Sequence, residues 1–479
     1  MRYKILGKQL SKIFILEAGC MLPPLAVSFF CGEHAAFGAF AVSFFAAAFL
    51  GSALFLLCRR ADKPRLRESR AIIAVCWISA AIFGAFPFFL SGEIPVLLDA
   101  VFESISGFTT TAATVLSDAK IVAMPKSLLL WRSLSAWLGG IGFFSLLFVF
   151  AGGNTLLFQA ENPDPFEDNA TPRFRQNARL FFFIYLSFTL AEFILLLIAG
   201  IPVFDSLNIA LCTMGTGGFS VQAGSLSAYG SLAEGITAVF MLLSGISLNV
   251  YAAMIIAPGI KHLLDDELKT YITMFLAGTL LITVSLWQNN TYPSLFTSLK
   301  ESAFHTASFL STTGFSGTQL HTWPAGAKIV IFLLIIAGAS AGSAGGGIKS
   351  SRGLLLLRES KASLRRLARP NHVEIVTFNK QHVSRSTIHF VNTYLILYII
   401  LFGISFLLIS LDNLDFFGAA SVVIACMSNT GPAFALAGTV SYSELSALTK
   451  IILSVNMLMG RLEIYPMLLL FSAKVWRNI

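Results

Sequence analysis

The octapeptide LSTTGFSG, Leu310 to Gly317, decides how this chain is read. It places a threonine and a glycine at the end of an apolar segment. Three other stretches repeat that arrangement at intervals of about a hundred residues, SGFTTTAAT (Ser106 to Thr114), TMGTGGFS (Thr213 to Ser220) and MSNTGPAF (Met427 to Phe434). Written in one register, the threonines are Thr111, Thr216, Thr313 and Thr430, followed by Ala112, Gly217, Gly314 and Gly431, with Thr110 and Asn429 as further polar flanks. A lone Thr-Gly pair is an ordinary turn after a helix, whereas four at even spacing form an internal repeat. Each closes a segment of about a dozen residues, too short to cross a bilayer but long enough for a re-entrant helix. Asp99, Asp205 and Asp415 stand where three such helices would be capped. On the polar side of the same helices, Glu103, Asn208 and His305 share a register occupied by Val422 in the last repeat.

The surroundings are those of a membrane protein. Of 479 residues, 56% are hydrophobic and 12% charged, against roughly 25% charged in soluble domains, so the bilayer is the solvent. Apolar stretches of spanning length run over Ile13 to Phe30, Ala36 to Leu57, Ala71 to Leu90, Leu128 to Phe150, Leu180 to Ala199, Ala233 to Ile256, Tyr271 to Leu286, Ile329 to Gly347, Thr393 to Leu411 and Ile451 to Phe471. That makes about ten spans and leaves almost no chain for a soluble domain. The basic N-terminus before an apolar run has the look of a secretion signal, but Glu17 and the continuation of the run to Phe30 suit a retained span. Six cysteines without CxxC spacing indicate packing rather than disulfides or metal. Basic residues fall at Arg59 to Arg70, Arg173, Arg175, Arg179, Lys261, Lys269, Lys349 to Arg385, Lys474 and Arg477. They share one side, the cytoplasmic one, if spans and re-entrant hairpins alternate. The net charge of +8 therefore belongs to those loops, and no aromatic-interleaved basic patch points to nucleic acid.

A dehydrating cation needs oxygens in place of its water, and carbonyls from four loops supply a ring of them. Threonine adds hydroxyls, and glycine permits backbone conformations that a Cβ disfavours. Such backbone survives at membrane depth only where it lines a cavity or is buried in protein. The re-entrant helices also turn their negative carboxyl ends to the centre, which favours a cation. Metal-ligand motifs and nucleophile–base constellations are missing from the sequence, so an enzyme is not indicated.

These residues resemble the TrkH/KtrB family of bacterial potassium transporters, the TrkH branch in particular. The likeness covers nearly the whole chain and includes WLGGIGFF (Trp137 to Phe144), AENPDPFEDNATPR (Ala160 to Arg173), AGSAGGGIK (Ala341 to Lys349) and MGRLEIYP (Met459 to Pro466). It implies an all-α polytopic membrane protein in which four helix, re-entrant pore helix, helix repeats surround a central pore. Two extra transmembrane helices occupy 1–58, and the repeats occupy 59–176, 177–268, 269–385 and 386–479. It further implies a bacterial inner-membrane homodimer with one pore per subunit, both termini cytoplasmic, and a cytosolic TrkA-type nucleotide-binding partner. The transported ion would be potassium, held at Thr110, Thr111, Ala112, Thr216, Gly217, Thr313, Gly314, Asn429, Thr430 and Gly431. Ala112 departs from the family glycine, which predicts a turned or strained first strand and weaker rejection of sodium; the other reading is that the first loop already takes a conformation alanine accepts. Pro432 fixes the backbone after Gly431 in the fourth loop.

Below the filter, the segment holding Gly338, Gly342, Gly345, Gly346 and Gly347 makes a poor helix, since each interior glycine costs about 1 kcal/mol relative to alanine. With the resemblance, this predicts an intramembrane gate loop ending at Lys349, whose shortening raises flux. Close helix packing by small residues is the other reading. Arg461 lies inside an apolar segment, where a charge costs at least about 2.5 kcal/mol and faces a cavity or a partner. The resemblance places it in the pore as a barrier to cations; the alternative is an ion pair, for example with Glu463. The expected function is potassium uptake down its electrochemical gradient. A proton- or sodium-coupled carrier and a weakly selective cation pathway are the alternatives.

Overall fold

The structure, a computed structural model, describes residues 3–472 apart from 63, 144, 148–155, 158–160, 162–173, 257–258, 260–264, 318–319, 370–374 and 432–440. Pro432, Arg173, Lys261, Lys474, Arg477 and most of the 160–173 stretch therefore lie outside the described residues.

Helices Tyr3–Phe30 and His34–Cys58 form an antiparallel hairpin, reversed at Gly32, whose φ of 71° stops the first helix. The hairpin exposes Phe45 (69%) and Phe49 (73%), so its outer face is complementary to lipid and not to water. Four units follow. The first comprises Leu66–Gly84, the pore helix Leu97–Phe108 and Lys126–Ile141. The second comprises Phe174–Ile198, the pore helix Val203–Met214 and the pair Ser231–Ser244 and Leu248–Ile256. The third comprises Asp266–Gln288, the pore helix Leu295–Leu310 and Ala325–Ala337. The fourth comprises Arg385–Ile409, the pore helix Phe416–Met427 and the pair Ala447–Leu462 and Ile464–Leu470. Helix Ser350–Ala368 and a short hairpin pairing Thr377–Phe378 with Gln381–His382 join the last two units. The chain is an all-α polytopic membrane protein.

Only six described helices are long and apolar enough to cross a membrane, or seven if a bent pair counts as one. Of the about ten apolar stretches of spanning length, those that close each unit are not continuous helices. Those helices break at Gly142 (φ 88°), in an 82° bend between Ser244 and Leu248, at Gly338 (φ 69°) and at Glu463 (φ 63°). The apolar runs continue through the breaks, so hydropathy reads them as uninterrupted. The irregular backbone is tolerated because it faces protein, not lipid.

Three of the pore helices have 12 residues and are about 18 Å long, and the third, with 16, is about 24 Å, all short of a bilayer. They are buried at their carboxyl ends, with Ser106, Phe108, Cys212, Ser308 and Cys426 fully inside.

Candidate functional site: the four loops and the segment beneath them

All four pore helices end alike. The amide of Thr110 donates to the carbonyl of Gly107 (2.9 Å) and that of Thr111 to Ser106 (2.9 Å). The same pair of bonds joins Thr216 to Thr213 and Gly217 to Cys212, and Thr312 to Phe309 and Thr313 to Ser308. In the fourth loop Thr430 donates to Ala425 (2.9 Å). This is the Schellman ending, which needs a left-handed residue at its first position. Those residues are Thr110 (φ 59°), Thr216 (52°), Thr312 (61°) and Asn429 (54°).

The hydrogen bonds correct the sequence register of the second loop by one residue. Thr216 matches Thr110, Thr312 and Asn429, while Gly217 matches Thr111, Thr313 and Thr430. The second left-handed position is then Ala112 (φ 58°), Gly218 (59°), Gly314 (83°) and Gly431 (81°). The second loop carries two glycines in a row, and matching by the Thr-Gly pair chose the wrong one. The same shift puts Ile209, not Asn208, at the register of Glu103, His305 and Val422. Asn208 instead bonds its own helix, Nδ2 to the Phe204 carbonyl at 2.7 Å. Ala112 takes the same turn as its glycine counterparts, so the expected departure of the first strand is not seen in φ. Its cost is the left-handed strain of an alanine, about 1–2 kcal/mol.

The loops meet edge to edge. A Cβ on Gly218 would collide with the carbonyl of Thr313, and one on Gly431 with that of Thr111. Asn429 ties the fourth loop to the first, its Nδ2 donating to Thr111 Oγ1 (3.0 Å) and to the carbonyl of Met457 (2.9 Å). Thr110 Oγ1 is buried with no hydrogen-bond partner among the described residues.

Directly beneath lies the segment from Gly338 to Lys349. Gly346 donates its amide to Thr312 Oγ1 (2.8 Å), and Thr216 Oγ1 donates to the carbonyl of Ala344 (3.2 Å). Cβ atoms on Gly345 and Gly346 would meet the carbonyls of Ser311 and Ser428. The glycines thus allow backbone to pass against backbone at the third and fourth loops, a requirement stronger than weak helix propensity. Arg461 crosses from the fourth unit: Nη1 donates to Ala344 O (2.5 Å), and Nη2 to Gly139 O (2.5 Å) and Gly140 O (2.7 Å). It bolts the segment to the first unit. Glu463, weighed as its ion-pair partner, instead pairs with Arg352, whose guanidinium stacks over Tyr394 at 4.3 Å. Lys349, Arg461, Glu161 and Glu463 line one cavity below the loops.

Glu103 and His305 are buried in the helices that carry the loops. Glu103 pairs with Arg132 (2.8 Å), and His305 Nδ1 lies 2.8 Å from the carbonyl of Glu301. Sequence reasoning missed Arg132, although a charge inside an apolar segment singles it out by the rule that found Arg461. It also missed Glu267. This carboxylate accepts from Ala341 N (2.6 Å), Ser350 Oγ (3.0 Å) and Ser351 N (3.2 Å), holding both ends of the segment. Replacing Glu267 with Ala should raise basal ion leak up to about tenfold, and Gln, which keeps one acceptor oxygen, by less than about threefold. Equal leak from both variants in a liposome flux assay would sink the anchoring role.

Residues 37–478 match the TrkH family, described as a cation transport protein. The Trk system potassium uptake protein TrkH of Salmonella typhimurium is 31% identical and that of Halomonas elongata 32%, each alignment covering 100% of both chains. The crystal structure of the potassium transporter TrkH from Vibrio parahaemolyticus superposes with a TM-score of 0.90 at 27% identity, covering 100% of both chains.

Proposed function

The chain belongs to the TrkH family of cation transport proteins, and we propose from its geometry that it takes up potassium through the ring made by Thr110 to Ala112, Thr216 to Gly218, Thr312 to Gly314 and Asn429 to Gly431. The observation that carries this reading is the fourfold Schellman ending. It turns the last carbonyls and the helix dipoles of four pore helices to one centre, where only a cation is stabilised. The segment from Gly338 to Lys349 is the gate. It fills the space beneath the ring, and Arg461 holds it there with three hydrogen bonds. Lys349 and Arg461 set positive charge in the conduction path.

The protein works as a multi-pass homodimer of the bacterial inner membrane with both termini cytoplasmic. Helix Ser350–Ala368, which continues the gate, displays Lys361, Arg365 and Arg366 on exposed positions. A cytosolic TrkA-type nucleotide-binding subunit docking there would pull on the gate directly.

A bi-ionic reversal potential for potassium against sodium, on purified protein in liposome patches with and without that subunit, tests the reading. A potential set by potassium is expected. Robust current reversing near zero would replace it with an unselective cation pathway, and uptake only under a proton or sodium gradient would replace it with a coupled carrier.

A further inference from the structure

Ala112 holds a left-handed turn that alanine disfavours, and such conformations persist where their surroundings over-determine them. Two residues on, the Thr114 hydroxyl lies 2.9 and 3.0 Å from the two oxygens of Glu103, and the amide of Val115 donates to the same carboxylate at 3.1 Å. Arg132 completes the group. Its Nε donates to Glu103 (2.8 Å), Nη2 to Thr114 Oγ1 (3.2 Å) and Nη1 to the carbonyl of Ser220 (3.3 Å), while its guanidinium lies 4.1 Å from the Phe219 ring centroid. Phe219 and Ser220 directly follow Gly218. One buried ion pair therefore fastens the outer limbs of the first and second loops together.

Among the described residues, no other repeat carries an arginine–carboxylate ion pair at this register. At the register of Glu103 the second and fourth units carry Ile209 and Val422. In the third, the amide of Gly317 donates to His305 Nε2 at 3.5 Å. Among the described residues, the ion-paired clamp sits on the loop that has alanine where the other three have glycine. A buried ion pair brings little net stability over an apolar replacement, so its place here calls for a geometric role. We propose that Glu103, Arg132 and Thr114 are positioning residues that hold the Ala112 turn in the shape the glycine loops adopt freely, and so set the preference for potassium over sodium. The inference rests on the potassium pathway proposed above.

The test is the potassium-to-sodium permeability ratio in liposome patches, taken on monodisperse protein. Thr114→Val, which keeps shape and removes the hydroxyl, should lower the ratio about tenfold, and Thr114→Ser should stay within about twofold of wild type. In an Ala112→Gly background, where the turn stores no strain, Thr114→Val should cost less than about threefold. Phe219→Leu, which removes the ring under the guanidinium, is a second route should Thr114→Val not fold, and it should lower the ratio in the same direction. A selective wild type with an equally selective Thr114→Val overturns the clamp alone. An equal loss in both backgrounds overturns its link to Ala112, and a wild type without potassium preference overturns the pathway reading as well.

Discussion

Replacing Arg461 with Ala should raise potassium flux in the absence of any cytosolic partner by about a hundredfold. The side chain makes three charged hydrogen bonds, one to the proposed gate at Ala344 and two to Gly139 and Gly140 of the first unit. A bond to a charged group contributes about 1.5–3 kcal/mol. Losing the one that touches the gate shifts its closed-to-open ratio by one to two powers of ten, at about 1.4 kcal/mol each. Removing the charge adds a second gain, since a fixed positive charge roughly 8 Å from a passing cation repels it by about 2 kcal/mol at an effective dielectric near 20. Arg461→Lys separates the two effects. It keeps the charge and loses the planar fork that reaches three carbonyls at once. Flux near the Ala level would assign the barrier to the bolt, and flux near wild type would assign it to the charge. If liposome flux is unchanged in both variants, Arg461 is neither.

The sequence carried the chemistry of this site better than its shape. Three Thr-Gly pairs and one Thr-Ala pair at even spacing located the four loops that end the short helices, because a repeated local structure needs similar residue types in each copy. The glycine run from Gly338 located the segment under them. What the pattern could not fix was register where two glycines adjoin: Gly217 and Gly218 are interchangeable in a string of letters, and only the amide bonds to Cys212 and Thr213 assign them. Hydropathy found the membrane segments, and the glycine run marked the break at Gly338, but the breaks at Gly142 and Glu463 interrupt runs whose flanks stay apolar on both sides. Glu463 is the extreme case, a charged residue at φ 63° and ψ 162°, a backbone region almost reserved for glycine. Long-range pairs were the least legible. Nothing near Glu267 in sequence announces Ala341 or Ser350, and the pairing of Glu463 with Arg352 joins residues 111 apart in sequence.

Replacing Gly431 with Ala should abolish selective potassium conduction while leaving the protein in the membrane. Two costs coincide there. The left-handed backbone at φ 81° disfavours a Cβ by about 1–2 kcal/mol. The added methyl would also point into the carbonyl oxygen of Thr111 and lie 3.1 Å from the carbonyl carbon of Ala112, so the first and fourth loops must part. Parted loops no longer present their oxygens at one distance from a cation. Gly92 supplies the control, because it has the same backbone, φ 82°, with nothing within 4 Å of an added Cβ. Gly92→Ala pays the backbone cost alone and should conduct as wild type does. Ala112 occupies the position equivalent to Gly431 and carries the methyl that Gly431 cannot, packing it against the apolar cluster that holds Ala136, Phe219 and Phe315. The fourfold ring therefore tolerates one Cβ where a pocket receives it and refuses one where a neighbouring carbonyl stands in the way. Retained selectivity in Gly431→Ala, measured by the bi-ionic reversal potential, would mean that the two loops are free to separate without loss of the ring.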